Sequence, residues 1–572
     1  MPTTPATPRV PSGTRRARGP VAVVVAALLV LVGCTPDERP TAATSSPRTP
    51  SATPTATPAL TATLTTPAPA AVVLPAATAE TAALEASQTL FAQAPVVVLA
   101  PAEDPAAQAA AATTATTVGA PLLLTGPAVP ADALLGELDR LGTRWVLAHG
   151  ATDLAVPSDV TLVRADATAA AGTSSEAPSA APTGGQLAAP VTLAPSTPTP
   201  SAPTARVSPS PSSTPADLPR TARPEPLTGT VALTGVGAAP AAALATIAAA
   251  GLPVVDVPGG DPRATTAGVQ ALAANHPAHV VAVGAAFGDP ALLASRVAAA
   301  SSGLLAPGGG QLVFPQVPGL PGKKYVALYG APGTPALGVL GEQDVPATIA
   351  RAQAHADAFR PLTGDTVVPA VEIIATVASA GPEADGSYSR AIPVETLRPL
   401  VEAAGAAGFA VVLDLQPGRT DFLTQAQRYQ DLLALPYVGL ALDPEWRLAP
   451  DQVHLRQIGS VGVDEINAVA AWLADLTRQR GLPQKMFVVH QFSLRMVAGR
   501  ERLDTSHDEL AVLIHVDGQG TQPAKAGTWA TLRAGAPPVH WGWKNFYDED
   551  QPMLDPAQTY AVQPVPDLVT YQ

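Results

Sequence analysis

The sequence predicts an α/β protein that ends in a (β/α)8 TIM-like barrel. Eight apolar, β-branched runs recur in the C-terminal part, at 325–329, 370–374, 410–414, 438–443, 486–490, 511–517, 539–543 and 568–571. Helical stretches such as 394–407, 420–435 and 463–480 separate them. Regular alternation over about 250 residues is the pattern of a closed parallel barrel, with a doubly wound open sheet as the competing arrangement of the same units. The chain ends on the eighth run without a final covering helix, so the α/β module before the barrel is expected to pack there.

Ahead of the barrel, Pro-, Thr- and Ser-rich stretches at 34–75 and 167–226 have nothing to bury and read as a disordered tether and a disordered linker. Both have the composition of segments that carry sugars on Thr or Ser. The chain accordingly divides into a signal segment at 1–33, the tether, a small parallel α/β domain at 76–166, the linker, a second α/β module at 227–320 and the barrel at 321–572.

The first 33 residues carry Arg15, Arg16 and Arg18 ahead of an apolar stretch from Val21. About a dozen apolar residues are too few for a stable membrane span and suit a secretory signal. The Arg15-Arg16 pair is not followed by the apolar residues of a twin-arginine signal. Leu31-Val32-Gly33-Cys34 closes the stretch, and this tetrapeptide resembles the lipobox of bacterial lipoproteins. The resemblance implies cleavage before Cys34, a lipid on its sulfur, the bilayer as a partner, and a protein held on the extracytoplasmic face of the cell membrane. A buried free thiol is the alternative, and Thr35-Pro36-Asp37-Glu38-Arg39-Pro40 offers no core to bury it.

Composition narrows the function. With 572 residues and 64 prolines the chain is too long for one domain and too proline-rich to be globular throughout. Its net charge is −13 and its 33 basic residues are scattered, which excludes a phosphate-tracking surface and a nucleic-acid partner. Cys34 is the single cysteine, so disulfides and cysteine-based zinc sites are excluded. No cofactor is expected. Gly308-Gly309-Gly310 lacks the Lys-Ser or Lys-Thr that follows a phosphate cradle and reads as a hinge.

In the 76–166 domain, strand-like runs at 96–99, 122–124 and 145–147 alternate with helical stretches from Pro105 and over 132–141. Gly119-Ala120-Pro121-Leu122-Leu123-Leu124-Thr125 and Leu138-Asp139-Arg140-Leu141-Gly142 resemble the type-2 cell-wall-binding repeat, which implies a parallel sheet and cell-wall polysaccharide or peptidoglycan as partner. His149-Gly150 stands where that repeat has Gly-Gly, and its Asp-Ala-Leu after the first strand is missing. In the second module, Gly260-Asp261-Pro262-Arg263-Ala264-Thr265 resembles the Gly-Asp-Arg-Thr that opens the same repeat. It reads equally as a turn capped by Asp261 with Arg263 in solvent.

Polar residues gather where the barrel strands finish, the face on which barrel enzymes keep their sites. They are Glu372, Asp414, Asp443 with Glu445, His490 with Gln491, His515 with Asp517, Lys544, and Tyr571. Helix capping or turn formation accounts for one such residue, but not for seven strands together. Asp443 and Glu445 share a side if the strand persists through Pro444. Trp446, Trp541 and Trp543 bring aromatic faces near the same rim, with core packing as the alternative role. Carboxylates beside aromatics suit sugars, because rings stack on pyranose C–H surfaces while paired carboxyls protonate the leaving oxygen and assist attack on carbon.

Ala441-Leu442-Asp443-Pro444-Glu445-Trp446 resembles the strand-four Asp-x-Glu of barrel glycosidases, including the family-25 muramidases and the chitinase superfamily. The resemblance implies Glu445 as general acid, Asp443 as its electrostatic partner, and Glu372, Asp414 or Asp517 as second carboxylate. Trp446, His490, Gln491, His515, Trp541, Trp543, Lys544 and Tyr571 would bind substrate. The complete Asp-x-x-Asp-x-Asp-x-Glu of the chitinases is absent. Together with Gln457-Ile458-Gly459-Ser460, His490-Gln491-Phe492 and Phe546-Tyr547-Asp548-Glu549-Asp550, the chain resembles a family of actinobacterial surface lipoproteins, a likeness that implies no reaction. Two other readings stand beside the glycosidase: a hydrolytic metal site from His490, His515, Asp517 and Asp414, and a barrel that grips wall polysaccharide without cleaving it.

Overall fold

The computed structural model describes residues 58–75, 77–165, 219–235 and 239–572. The expected signal segment, Cys34 and most of both Pro-rich stretches lie outside them. Among the described residues no helix is long and apolar enough to cross a membrane.

The C-terminal part is the expected barrel. Its eight parallel strands are Lys323–Gly330, Thr366–Ala378, Ala410–Leu415, Val438–Leu442, Lys485–Gln491, Leu510–Val516, His540–Asn545 and Leu568–Tyr571. Ala327 of the first strand pairs with Ala370 of the second and Thr570 of the eighth, so the sheet closes and the open-sheet alternative falls. Side chains alternate in and out with the strand period. Tyr325, Ala370, Val412, Ala441, Met486 and Leu513 are among those filling the interior, with alanines making room for the tyrosine and methionine. Outward-facing Val371, Val411, Leu440 and Phe487 pack beneath the surrounding helices.

That helical layer is uneven. Helices Val345–Phe359, Val394–Ala406, Val463–Gln479 and Gln522–Arg533 cover four of the connections. The third connection is split into Phe422–Arg428 and Gln430–Leu433, and the last carries only Pro556–Tyr560. After the fifth strand two 3-10 turns, Leu494–Met496 and Arg500–Arg502, stand in place of a helix. Beside the uncovered eighth strand, the rings of Phe359, Tyr560 and Tyr571 pack together instead, with Phe359 4.6 Å from Tyr560 and 6.4 Å from Tyr571.

The preceding module does not fill that gap as expected. It docks on the N-terminal end of the barrel, where Val313 and Phe314 plug the interior. Polar contacts fix the join. The Gln484 side chain accepts from the Val313 N–H at 3.0 Å, and its backbone N–H donates to the Gln311 carbonyl at 2.9 Å. Arg263, expected in solvent in one reading, is 4 % exposed and bridges Asp261 and Asp508, each at 2.8 Å. Arg296 adds a 2.6 Å contact to Asp508. Gly260 lets this turn form: its φ is +83°, and a Cβ there would lie 2.2 Å from the Ala286 carbonyl oxygen.

The two N-terminal modules are built alike. In the first, Val96–Pro101 and Trp145–His149 are central, flanked by Leu122–Thr125 and Thr161–Ala165, all parallel. In the second, Thr230–Thr234 and His279–Val283 are central, flanked by Val254–Asp256 and by Ala71–Leu74. The fourth strand of the second sheet thus comes from upstream, inside the segment expected to be a tether. Ala71-Val72-Val73-Leu74 is an apolar, β-branched run that finds an open sheet edge beside Val280–Val283. Leu60–Thr61 likewise pairs with Thr221–Ala222, and Thr63–Leu64 with Phe91–Gln93. The modules share a core in which Leu74, Leu99, Leu123, Ile247 and Val281 are all buried. The Thr246 hydroxyl accepts from the Leu122 N–H across the join at 3.0 Å.

The Arg263 cluster makes docking testable. Removing one member of a buried ion-pair group leaves its partners uncompensated, at a cost of about 3 kcal/mol or more. Arg263→Ala should lower the urea midpoint of unfolding by a matching amount. An unchanged midpoint would show that the apolar plug alone holds the module.

Candidate active site

Each barrel strand brings an inward residue to the C-terminal mouth. They are Tyr329, Glu372, Asp414, His490, His515, Lys544 and Thr570 from strands one, two, three, five, six, seven and eight, with Asp443 directly after strand four. Such convergence follows from the two-residue period: positions two before these, such as Ala327, Ala370, Val412, Ala441 and Val488, fill the interior below them. Pro444 ends the fourth strand at Leu442 and opens the turn Pro444–Trp446, so Glu445 does not continue the strand face of Asp443. It sits partly exposed above buried Asp443, which feels its charge directly.

His490 is the centre of the mouth. Its Nε2 lies 2.7 Å from Glu372 Oε1 and its Nδ1 lies 3.1 Å from Asp517 Oδ2, with the ring fully buried. The Tyr329 hydroxyl donates to Asp414 Oδ2 at 2.8 Å. Lys544 Nζ stands 3.6 Å from the centroid of the Tyr329 ring, a cation over an aromatic face. Behind Lys544, the Lys525 ammonium donates to the Lys544 carbonyl at 2.7 Å and to Asp550 at 2.6 Å. His515 Nε2 meets the Thr570 hydroxyl at 3.1 Å. One oxygen each of Glu372, Asp414, Asp443 and Asp517 is buried without a hydrogen-bond partner among the described residues.

These surroundings separate the carboxyls. Burial pushes Asp414 up to about 6, while burial and the nearby charges of Glu445 and Asp414 hold Asp443 well above the usual carboxylate range. Burial and the charge of Asp517 push Glu445 up to about 7. Asp517 moves the other way: burial works against its charge, but the hydrogen bond and charge of His490 outweigh it and hold the group low. Burial likewise opposes a charged His490, yet Glu372 and Asp517 keep its pKa well above the ordinary histidine value. His515 is held well below by burial and by the neighbouring His490 and Lys544.

Of the residues expected at the mouth, Glu372, Asp414, Asp443, Glu445, His490, His515, Asp517 and Lys544 come together there. Trp446 joins them on the loop after strand four, its ring 5.3 Å from His454 and its Nε1 buried without a partner among the described residues. Four others do not, because they occupy the outward phase of their strands. Gln491 binds the Ser493 carbonyl and faces Arg500. Trp541 and Trp543 pack on Trp529 of the covering helix, at 5.9 and 5.5 Å, and Tyr571 lies in the outer core. Core packing therefore accounts for Trp543 and Tyr571. Sequence reasoning missed Tyr329 and Thr570, although the alternation Tyr325-Ala327-Tyr329 marks Tyr329 as inward. It also missed Lys525 and Asp550, which no strand pattern indicates.

The group closest to a metal geometry is Glu372, Asp414 and His490, whose candidate ligand atoms lie within 4.8 Å of one another. His515 lies on the other side of the ring from Asp414 in strand order and bonds to Thr570. Both nitrogens of His490 already face carboxylates at hydrogen-bond distance. A metal there would have to displace the proton shared with Glu372.

No family model matches the chain, and no curated protein matches it. Among solved structures, tryptophan synthase from M. tuberculosis aligns at 16 % identity over 44 % of this chain and 82 % of its own, with a TM-score of 0.24. A mutant of the cellobiohydrolase Cel6A from Humicola insolens aligns at 13 % identity over 45 % of this chain and 65 % of its own, with a TM-score of 0.18. At such scores neither likeness carries an argument about the site.

Proposed function

We propose that the barrel is a glycoside-hydrolase-like catalyst acting on cell-wall or extracellular polysaccharide, held at the outer face of the cell membrane by lipid on Cys34. The observation that carries the catalytic part is the separation of two carboxyls at one barrel mouth. Glu445, the partly exposed one, keeps its proton up to about pH 7, while Asp517 is held ionised. Environments that push a carboxyl pair apart assign acid and base. In this reading Glu445 transfers its proton to the glycosidic oxygen as the bond to the anomeric carbon breaks. Asp517, through the oxygen not bonded to His490, meets the electron-poor carbon or deprotonates the water that attacks it. Asp443 lies beneath Glu445 with burial holding its own pKa well above the usual carboxylate range, and the charge of Asp517 helps keep the proton on Glu445.

A second reading, a barrel that holds polysaccharide without cleaving it, draws support from depth: Glu372 and Asp414 are 0 % exposed and Asp443 is 3 % exposed. Anchorage and the wall polymer rest on the Leu31–Cys34 lipobox resemblance and the repeat-like motifs of the first module.

Glu445→Gln removes the transferable proton while keeping shape and hydrogen-bonding reach. Turnover should fall at least about a hundredfold with polysaccharide binding retained. For the wild type, turnover should decline as pH rises through about 7, because the acid must be protonated, and Glu445→Gln should lose that limb. Equal loss of binding, with no reducing ends released by the wild type from peptidoglycan, arabinogalactan or α-glucan, would favour the binding reading. Activity abolished by chelator and restored by zinc would favour a metal instead.

Anchorage has its own check. Cys34→Ala should release the protein from the membrane fraction or block its processing, and tight membrane association of a signal-cleaved alanine variant would refute lipidation there.

A further inference from the structure

At the end of the barrel opposite the carboxyl mouth, two cavities of 540 and 640 Å³ share the lining residues Gln316, Lys324, His540 and Asp567. Both volumes fall in the range of small-molecule and oligomer subsites. Next to it, the connection between strands seven and eight carries only the short helix Pro556–Tyr560. Pro315, Pro318, Pro538 and Pro564 line the walls. Their locked φ angles and missing N–H groups keep these walls extended and stop them from pairing into a sheet that would close the space.

We infer that this groove is a second, non-catalytic binding site for a neutral polysaccharide chain, with Trp541 as its stacking platform. The inference rests on the reading that the protein works on polysaccharide, but it uses none of the catalytic groups. Trp541 lines the larger cavity and stays partly exposed, its indole held edge-on against Trp529 at 5.9 Å. Its two tryptophan neighbours are tied by their ring nitrogens, Trp543 to Asn545 and Trp529 to the Gln563 carbonyl.

Around this apolar face runs a fixed polar row. Asp567 accepts from Lys324 at 2.8 Å through one oxygen and meets His540 Nδ1 at 3.0 Å through the other. His540 in turn is stacked on Phe314, with centroids 4.1 Å apart. Lys324 and Asp567 offset one another, Lys323 and Asp365 line the smaller cavity as a second pair of opposite charges, the Arg533 guanidinium stands 5.9 Å from the Trp541 ring centroid, and the exposed Gln316 adds a donor and an acceptor. A flat apolar face beside neutralised donors and acceptors is what a pyranose with equatorial hydroxyls presents in complement. A polyproline peptide would need several open parallel aromatic ridges. Here Phe314 is 9 % exposed and Trp529 is 4 % exposed, and Trp541 is the one partly exposed indole lining the groove.

The test uses the full chain carrying Glu445→Gln, so that polymer is not consumed, and measures co-sedimentation with insoluble peptidoglycan sacculi, with soluble arabinogalactan and α-glucan as competitors. Adding Trp541→Ala, or separately the exposed Gln316→Ala, should weaken binding about tenfold and about threefold. Far-ultraviolet circular dichroism and the unfolding midpoint should match the parent. Undiminished binding by both folded variants, or no binding of the parent to any of the three polymers, would overturn the groove. Displacement of sacculi by a synthetic peptide of residues 195–212, but not by glycans, would overturn it in favour of a peptide site. Reducing-end release by the wild type decides the catalytic reading separately. If release is absent while Trp541→Ala still weakens binding, the hydrolase fails and the groove stands.

Discussion

A barrel mouth that collects five carboxyls must find something to neutralise them, and in this protein that task falls on His490. Fully buried, it touches Glu372 and Asp517 with its two nitrogens and so joins strands two and five to the end of strand six. Burying an unpaired carboxylate costs several kcal/mol, and pairing it with an imidazolium removes most of that penalty. Lys544 supplies the other positive charge. It is set over the Tyr329 ring by the Lys525 and Asp550 pair behind its backbone. Two cations do not offset five acids. This shortage of positive charge, added to burial, raises Asp414, Asp443 and Glu445 above the ordinary carboxyl range.

The two ends of the barrel are finished differently. At the N-terminal end apolar plugging dominates, with Val313 and Phe314 closing the interior and the Arg263, Arg296, Asp261 and Asp508 cluster locking the module to the loop before strand six. At the C-terminal end the last inward residues are polar, and their groups satisfy each other only in part. A parallel barrel imposes this asymmetry, because all strands point the same way and each connection that follows a strand is free to vary at that end.

The N-terminal modules show how a local pattern can be misassigned when its partner is remote. Ala71-Val72-Val73-Leu74 is four residues long and surrounded by Pro, Thr and Ala, so it reads as part of a tether. The edge that recruits it, beside Val280–Val283, lies about two hundred residues downstream. Arg263 is a parallel case. Its neighbours suggest a solvated turn, and only Asp508, from the barrel, explains its burial.

By itself the sequence determined the features that depend on short-range periodicity. All eight barrel strands, and the gathering of Glu372, Asp414, Asp443, His490, His515 and Lys544 at their C-terminal ends, follow from residue type and spacing, and Pro444, which lacks an N–H, marks where the fourth strand can break. What tertiary structure decided is everything set by phase across strands and by remote charge. Trp541, Trp543, Tyr571 and Gln491 sit one residue out of phase with the inward set and end under helices or at another rim, a difference composition cannot reveal because outward barrel positions are as apolar as inward ones. The opposite pKa directions of Glu445 and Asp517 likewise arise only when His490, from a third strand, comes within hydrogen-bond reach of Asp517.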